Sequence, residues 1–117
     1  MILTIIIPVF NEKNTIKQII KKISLQENIE KQIILVDDGS NDGTTEIIKK
    51  DLVSQIDRVI FHEKNLGKGA AIISAKKFVK GDVVIIQDAD LEYDPRDYIK
   101  ILKVISEENE IAVYGSR

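Results

Sequence analysis

Val83-Val84-Ile85-Ile86-Gln87-Asp88-Ala89-Asp90 joins an unbroken apolar run to two carboxylates, and its reading governs the rest of the chain. The apolar run is continuous rather than alternating, as in a strand covered on both faces. Where extended geometry continues past it, residues two apart point the same way, so Asp88 and Asp90 converge while Ala89 faces away. Two hard oxygen ligands at one rim, with room for a substrate phosphate, suit Mg²⁺ or Mn²⁺. The competing explanation is an ordinary acidic turn in which Asp90 caps the segment that follows.

Four more runs share this character: Ile2-Leu3-Thr4-Ile5-Ile6-Ile7, Ile33-Ile34-Leu35-Val36, Val59-Ile60-Phe61 and Ile111-Ala112-Val113-Tyr114. Between them the apolar period changes to that of a helix. Ile16, Ile19, Ile20 and Ile23 mark one helical face, and Tyr98, Ile101, Leu102 and Ile105 mark another behind Asp94-Pro95, a capping residue followed by a helix-opening proline. Ile47, Ile48 and Leu52 after Thr44 predict a second helix, and Ala71, Ala75 and Phe78 a third that stops before Gly81. Strands alternating with helices predict an α/β fold, a Rossmann-like three-layer α/β/α sandwich around a mostly parallel twisted sheet.

At 117 residues the chain fits one domain, taken as 1–117. Charged residues make up 31% of it, yet the net charge is −2, which leaves no basic field for nucleic acid and no polybasic lipid anchor. Cysteine is absent, so disulfides and thiolate chemistry are excluded, in keeping with a reducing compartment. The apolar start at 2–9 is too short to span a bilayer and reads as a strand.

In sheets of this kind ligands bind beyond the carboxyl ends of the strands. Acids, amides and glycines gather there: Pro8-Val9-Phe10-Asn11-Glu12, Asp37-Asp38-Gly39-Ser40, Gln87-Asp88-Ala89-Asp90, and Asn65-Leu66-Gly67-Lys68-Gly69 after the third strand. A carboxylate at a strand end can accept the in-plane N–H of a nucleobase, and Asp38 is the residue assigned to this. The alternatives are plain: the stretch from Asp37 to Gly43 as a turn feeding a helix, and Asn11-Glu12 as a helix cap with a first-turn acid. Gly67-Lys68-Gly69 can cradle phosphate through backbone N–H groups and the Lys68 charge. It is not a Walker loop, and it is not the dinucleotide fingerprint, which would follow the first strand and require a glycine where Ile72 stands. His62, the only histidine, is expected to face solvent, and with no other His or Cys nearby zinc is disfavoured.

Taken together, Pro8-Val9-Phe10-Asn11-Glu12, Val36-Asp37-Asp38-Gly39-Ser40-Asn41-Asp42-Gly43-Thr44, Asn65-Leu66-Gly67-Lys68-Gly69-Ala70, Asp88-Ala89-Asp90-Leu91-Glu92 and Gly115-Ser116-Arg117 resemble the N-terminal half of a family 2 glycosyltransferase of the GT-A fold. The likeness is to its polyprenyl-phosphate (dolichyl-phosphate) hexosyltransferase branch, and it covers essentially the whole chain. The resemblance implies a UDP- or GDP-linked sugar donor bound by Pro8, Phe10, Glu12, Asp38, Lys68 and Asp88. It makes Asp88 and Asp90 the catalytic pair and Asp90, Asp88 and Glu92 the ligands of Mg²⁺ or Mn²⁺, with Glu92 standing where some relatives carry Gln. The implied reaction is inverting transfer to a polyprenyl or dolichyl phosphate, with the metal stabilising charge on the departing diphosphate.

Family members continue beyond this length into acceptor-binding elements. The chain is therefore expected to be the donor-binding half of a cytoplasmic protein that is peripheral to, or anchored in, the membrane. If the remainder normally covers the last strand, this piece exposes an apolar edge that favours self-association. Three other readings carry weight. A receiver-type domain would place its acid pair after the first strand, not the second. A sugar nucleotidyltransferase would need a Gly-rich basic loop where Pro8-Val9-Phe10-Asn11 stands. A non-catalytic nucleotide-binding module would share the pocket.

Overall fold

The computed structural model describes residues 2–26, 29–87 and 113–115. Its strands are β1 (Leu3–Val9), β2 (Lys31–Asp37), β3 (Arg58–Phe61), β4 (Val83–Ile86) and β5 (Val113–Gly115). Its helices are α1 (Ile16–Ser24), α2 (Thr44–Ile47) and α3 (Lys68–Lys76). The helix expected around Tyr98, Ile101, Leu102 and Ile105 lies outside the described residues.

The strands form one sheet in the order β3-β2-β1-β4-β5, with every ladder parallel. The chain moves outward from β1 to β3, then returns past β1 to start β4. Because such crossovers are right-handed, that reversal puts α1 and α2 on one face and α3 on the other. The sheet thus has two cores. Leu3, Ile5 and Ile7 of β1 pack with Ile33 and Leu35 of β2 against Ile16, Ile19, Ile20 and Ile23 of α1. Ile6, Ile34 and Val36 point the other way, toward Ala71 and Ala75 of α3. The four isoleucines predicted to share a helix face are all fully buried.

The expected second helix is present but irregular. After α2 it widens into a π-helical turn over Ile48–Leu52 and then tightens into a 3₁₀ turn over Val53–Gln55. Ile48 and Leu52 are both buried through this stretch. The tight final turn gives the Val53 carbonyl a partner in the Ile56 N–H at 3.2 Å, a common way to finish a helix. The other exception to the apolar pattern, Thr4 in the middle of β1, is fully buried but satisfied. Its hydroxyl donates to Gln32 Oε1 at 2.8 Å and accepts the Gly81 N–H at 2.9 Å.

β1 pairs with β2 from Leu3 to Val9 and, among the described residues, with β4 from Leu3 to Ile6. The Gln87 N–H donates to the Ile6 carbonyl at 2.8 Å, so even-numbered residues of β1 direct their backbone toward β4. Pro8 is the next such position and has no N–H to give to a ladder.

The uneven cores give a test. Ile20→Ala is expected to reduce unfolding free energy by about 2–5 kcal/mol through the cavity it leaves. Ile73→Ala, at a position 72% exposed on α3, should cost less than about 0.5 kcal/mol. Urea denaturation of the two variants measures both, and equal losses would contradict this placement of the core.

Candidate functional site

The two acids ending β2 are both buried, 2% exposed at Asp37 and 4% at Asp38, and the two-residue repeat of an extended chain sends them to opposite faces. Asp37 continues the face of Ile33 and Leu35. It accepts the Ser40 N–H at 3.1 Å and the Thr45 hydroxyl, closing the turn into α2. Asp38 continues the face of Ile34 and Val36 and meets the loop ahead of α3. Its Oδ1 accepts the Leu66 N–H at 2.9 Å and lies 2.8 Å from His62 Nδ1, while Oδ2 accepts the Gly67 N–H at 2.9 Å. The turn explanation therefore describes Asp37, and Asp38 has a separate environment.

Burial pushes the Asp38 carboxyl upward, but hydrogen bonds from His62 and from the Leu66 and Gly67 N–H groups outweigh it and hold its pKa below the usual aspartate value. An ionised carboxylate offers about four acceptor positions. Three are taken by these donors, and Asp38 is among the residues that line a cleft.

Two backbone features hold the loops in place. Gly39 has φ +75°, and a Cβ there would stand 2.4 Å from the Lys64 carbonyl carbon, so only glycine lets the end of β2 pass against the 62–67 loop. Asn11 has φ +53°, a conformation asparagine tolerates better than most residues. Its N–H donates to Ser40 Oγ at 2.9 Å and its Oδ1 accepts the Asn41 N–H at 2.8 Å, which ties the β1 and β2 loops together. Beside them the Thr44 hydroxyl accepts the Glu12 N–H at 3.0 Å. This corrects the capping explanation for Asn11-Glu12. Helix α1 begins later, at Ile16, with Thr15 at the cap position and no acid in its first turn.

A cleft of about 310 Å³ lies at the carboxyl ends of β1 and β2, and Pro8, Phe10, Glu12, Asp38 and Lys68 all line it. Phe10 is 42% exposed. Lys68 is the first residue of α3. Asp88, Asp90 and Glu92 lie outside the described residues. Among the described residues no three His, Cys, Asp or Glu side chains cluster closely enough to hold a metal ion.

In the Gly67-Lys68-Gly69 segment the Gly67 N–H donates to the chain's own Asp38 carboxylate. One expectation changes. His62 does not face solvent. Its side chain is 9% exposed, and its Nε2 lies 2.8 Å from Ser74 Oγ, opposite the contact with Asp38. Neither His62 nor Ser74 was singled out as a site residue. The available signal was Ser74's position three residues beyond Ala71, on the sheet-facing side of α3, and the place of His62 immediately after β3.

The Glycosyl transferase family 2 model matches residues 4–117. The undecaprenyl-phosphate 4-deoxy-4-formamido-L-arabinose transferase of Aeromonas hydrophila subsp. hydrophila is 31% identical over 109 residues, covering 87% of this chain and 33% of that protein. Residues 1–349 of S. aureus TarS in complex with UDP-GlcNAc superpose with a TM-score of 0.78 at 25% identity, over 93% of this chain and 32% of that one. Glucosyl-3-phosphoglycerate synthase from Mycobacterium tuberculosis, in complex with Mn²⁺, UDP and glucosyl-3-phosphoglycerate, superposes with a TM-score of 0.67 at 25% identity, over 89% and 39%. The chain thus spans about a third of the length of the first of these and of TarS 1–349, and somewhat more of the synthase. With its parallel sheet, its cleft at the strand ends and a family match over nearly its whole length, the chain belongs to glycosyl transferase family 2.

Proposed function

We propose that this chain is the donor-binding part of an enzyme that transfers a hexose from a UDP- or GDP-linked sugar to a polyprenyl or dolichyl phosphate, with inversion at the sugar carbon. The observation that carries the reading is the acceptor position left on Asp38 at the cleft where Pro8, Phe10, Glu12 and Lys68 also meet. A volume of about 310 Å³ is at the lower end of the range for small-molecule sites and suits a nucleoside. The TarS 1–349 structure in complex with UDP-GlcNAc and the glucosyl-3-phosphoglycerate synthase structure with UDP support the same class of ligand.

Each described residue has a physical task in this reading. Asp38 accepts the base N–H, and the Phe10 ring supplies an apolar face for the base. Lys68 brings positive charge to the diphosphate side of the cleft. A lipid-phosphate acceptor is already ionised at neutral pH, so Glu12 need not remove a proton from it and serves the donor instead.

A divalent ion fits the remaining donor set. Gln87, whose N–H is bonded to Ile6 of β1, follows β4, and the next acids in sequence are Asp88, Asp90 and Glu92. All three offer hard oxygen atoms, which match Mg²⁺ or Mn²⁺. Held by them, the ion would offset the negative charge that develops on the leaving diphosphate. Among the described residues no helix is long and apolar enough to cross a membrane. The proposed lipid acceptor would be met at the cytoplasmic membrane surface, to which the full-length protein would be peripheral or anchored.

Calorimetry on the full-length gene product should detect binding of UDP or GDP that strengthens with Mn²⁺ or Mg²⁺. Asp90→Ala should remove the metal-dependent part, and Phe10→Ala should weaken binding with or without metal by about 3–30-fold, the equivalent of roughly 0.7–2 kcal/mol of ring contact. Binding of neither nucleotide by the wild type, or full metal dependence in Asp90→Ala, would sink the reading. Transfer itself is tested with a polyprenyl phosphate and a nucleotide sugar: proton NMR of the product should show the anomeric configuration opposite to that of the donor, and retention would refute inversion.

A further inference from the structure

His62 and Ser74 have no part in the reaction outlined above, yet they form a closed line of hydrogen bonds behind the residue at its centre. Asp38 Oδ1, His62 Nδ1, His62 Nε2 and Ser74 Oγ follow one another with a separation of 2.8 Å at each end of the ring. The His62 and Asp38 side chains are 9% and 5% exposed. The His62 main chain is also fixed, its N–H donating at 2.9 Å to the carbonyl of Asp37, the residue before Asp38. The ring is therefore anchored to the end of β2 by its backbone, to α3 through Ser74, and to the cleft through Asp38.

This arrangement fixes where protons sit. An ionised carboxylate only accepts, so Nδ1 must carry the hydrogen that points at Asp38. Ser74 supplies the matching partner at Nε2, which accepts the hydroxyl hydrogen when the ring is neutral and donates to the hydroxyl oxygen when it is not. The Nδ1 donor is present in either case. Rotation of an aspartate carboxyl about its last torsion is soft, with broad wells rather than sharp ones. Two backbone N–H groups constrain Asp38 from the loop ahead of α3, and His62 adds a side-chain donor to the oxygen that already receives Leu66. Oδ1 is thereby filled, and the vacant acceptor position is confined to Oδ2.

We propose that His62, held by Ser74, is a positioning residue that fixes the Asp38 carboxylate so that its one vacant acceptor position faces the ring N–H of the donor's base, and thereby sets base specificity. The inference rests on the nucleotide-binding reading above. His62 touches no substrate in it and acts through Asp38. The chemistry it selects for is a planar base with an N–H beside a carbonyl, as in uracil N3–H or guanine N1–H.

The test compares UDP with N3-methyl-UDP, which keeps the base shape but has lost the donor, by calorimetry on the full-length protein; GDP and N1-methyl-GDP take their place if GDP binds better. Wild type should prefer the unmethylated nucleotide by about tenfold or more, the size of one hydrogen bond to a charged group. In His62→Ala, checked for folding by its thermal transition, the preference should fall toward one, chiefly through weaker binding of the unmethylated form. His62→Asn puts an amide donor near the place of Nδ1–H and should restore much of the preference, while Ser74→Ala should narrow it in part. If the alanine variant does not fold, His62→Gln, whose amide falls at the Nε2 end, replaces it with the same expectation. An unchanged preference in the variant lacking the Nδ1 donor overturns the positioning role, as does a wild type that binds both nucleotides equally. A wild type that binds neither UDP nor GDP refutes the nucleotide reading instead.

Discussion

A carboxylate buried at the positive end of a helix is the constraint around which this molecule is arranged. Asp38 receives N–H groups from Leu66 and Gly67 immediately ahead of α3, and a third hydrogen from His62. Burying a charge without such partners would be prohibitive, and with them the ionised form is favoured. The same contacts fix the loop between β3 and α3 against the end of β2. Gly39 allows the close approach, because any side chain there would collide with the backbone at Lys64. The start of α3 is held to the end of β2 by this one ion and its donors.

The two faces of the sheet divide the work. The α1 face carries the larger apolar cluster, with the aliphatic side chains of β1, β2 and α1 interlocked and fully enclosed. On the α3 face the helix approaches through Ala71 and Ala75, which are small, and polar groups enter the layer through Thr4 and Gln32. The larger apolar cluster lies on one side and the Asp38–His62–Ser74 contacts on the other. A buried polar line such as Asp38–His62–Ser74 is tolerable on the thinner side because each member is hydrogen-bonded, and no buried side-chain nitrogen or oxygen among the described residues lacks a partner.

Much of the fold was legible in the sequence because continuous β-branched runs and a four-isoleucine helical stripe have few other physical explanations. The five strands lie where those runs stand, within a few residues at each end, and α1 buries the face its spacing marks. That adjacent acids at the end of a strand diverge follows from the two-residue repeat, but which of Asp37 and Asp38 meets α3 shows only once the sheet order is known. What was not legible depends on contacts between segments far apart in sequence. No local feature of 44–55 announces a π-helical turn. That the Gly67 N–H belongs to Asp38 depends on a packing distance between residues 29 positions apart. A glycine-rich helix start looks equally ready for an external phosphate or an internal carboxylate until the sheet order is known.

The single histidine shows why composition misleads in such cases. Taken alone, a lone His in a loop carries no partner, and exposure is the natural expectation. A parallel sheet changes that, because every strand ends at the same rim and side chains just beyond those ends converge regardless of their separation in sequence. His62 follows β3 and Asp38 follows β2, and the register aligns Asp37 with Phe61, so the residues one step further stand side by side. Their contact is a consequence of strand pairing rather than of any motif. The same logic brings Pro8 and Phe10 to the cleft from β1, and it makes the order of strands, more than the identity of any single residue, the source of the site.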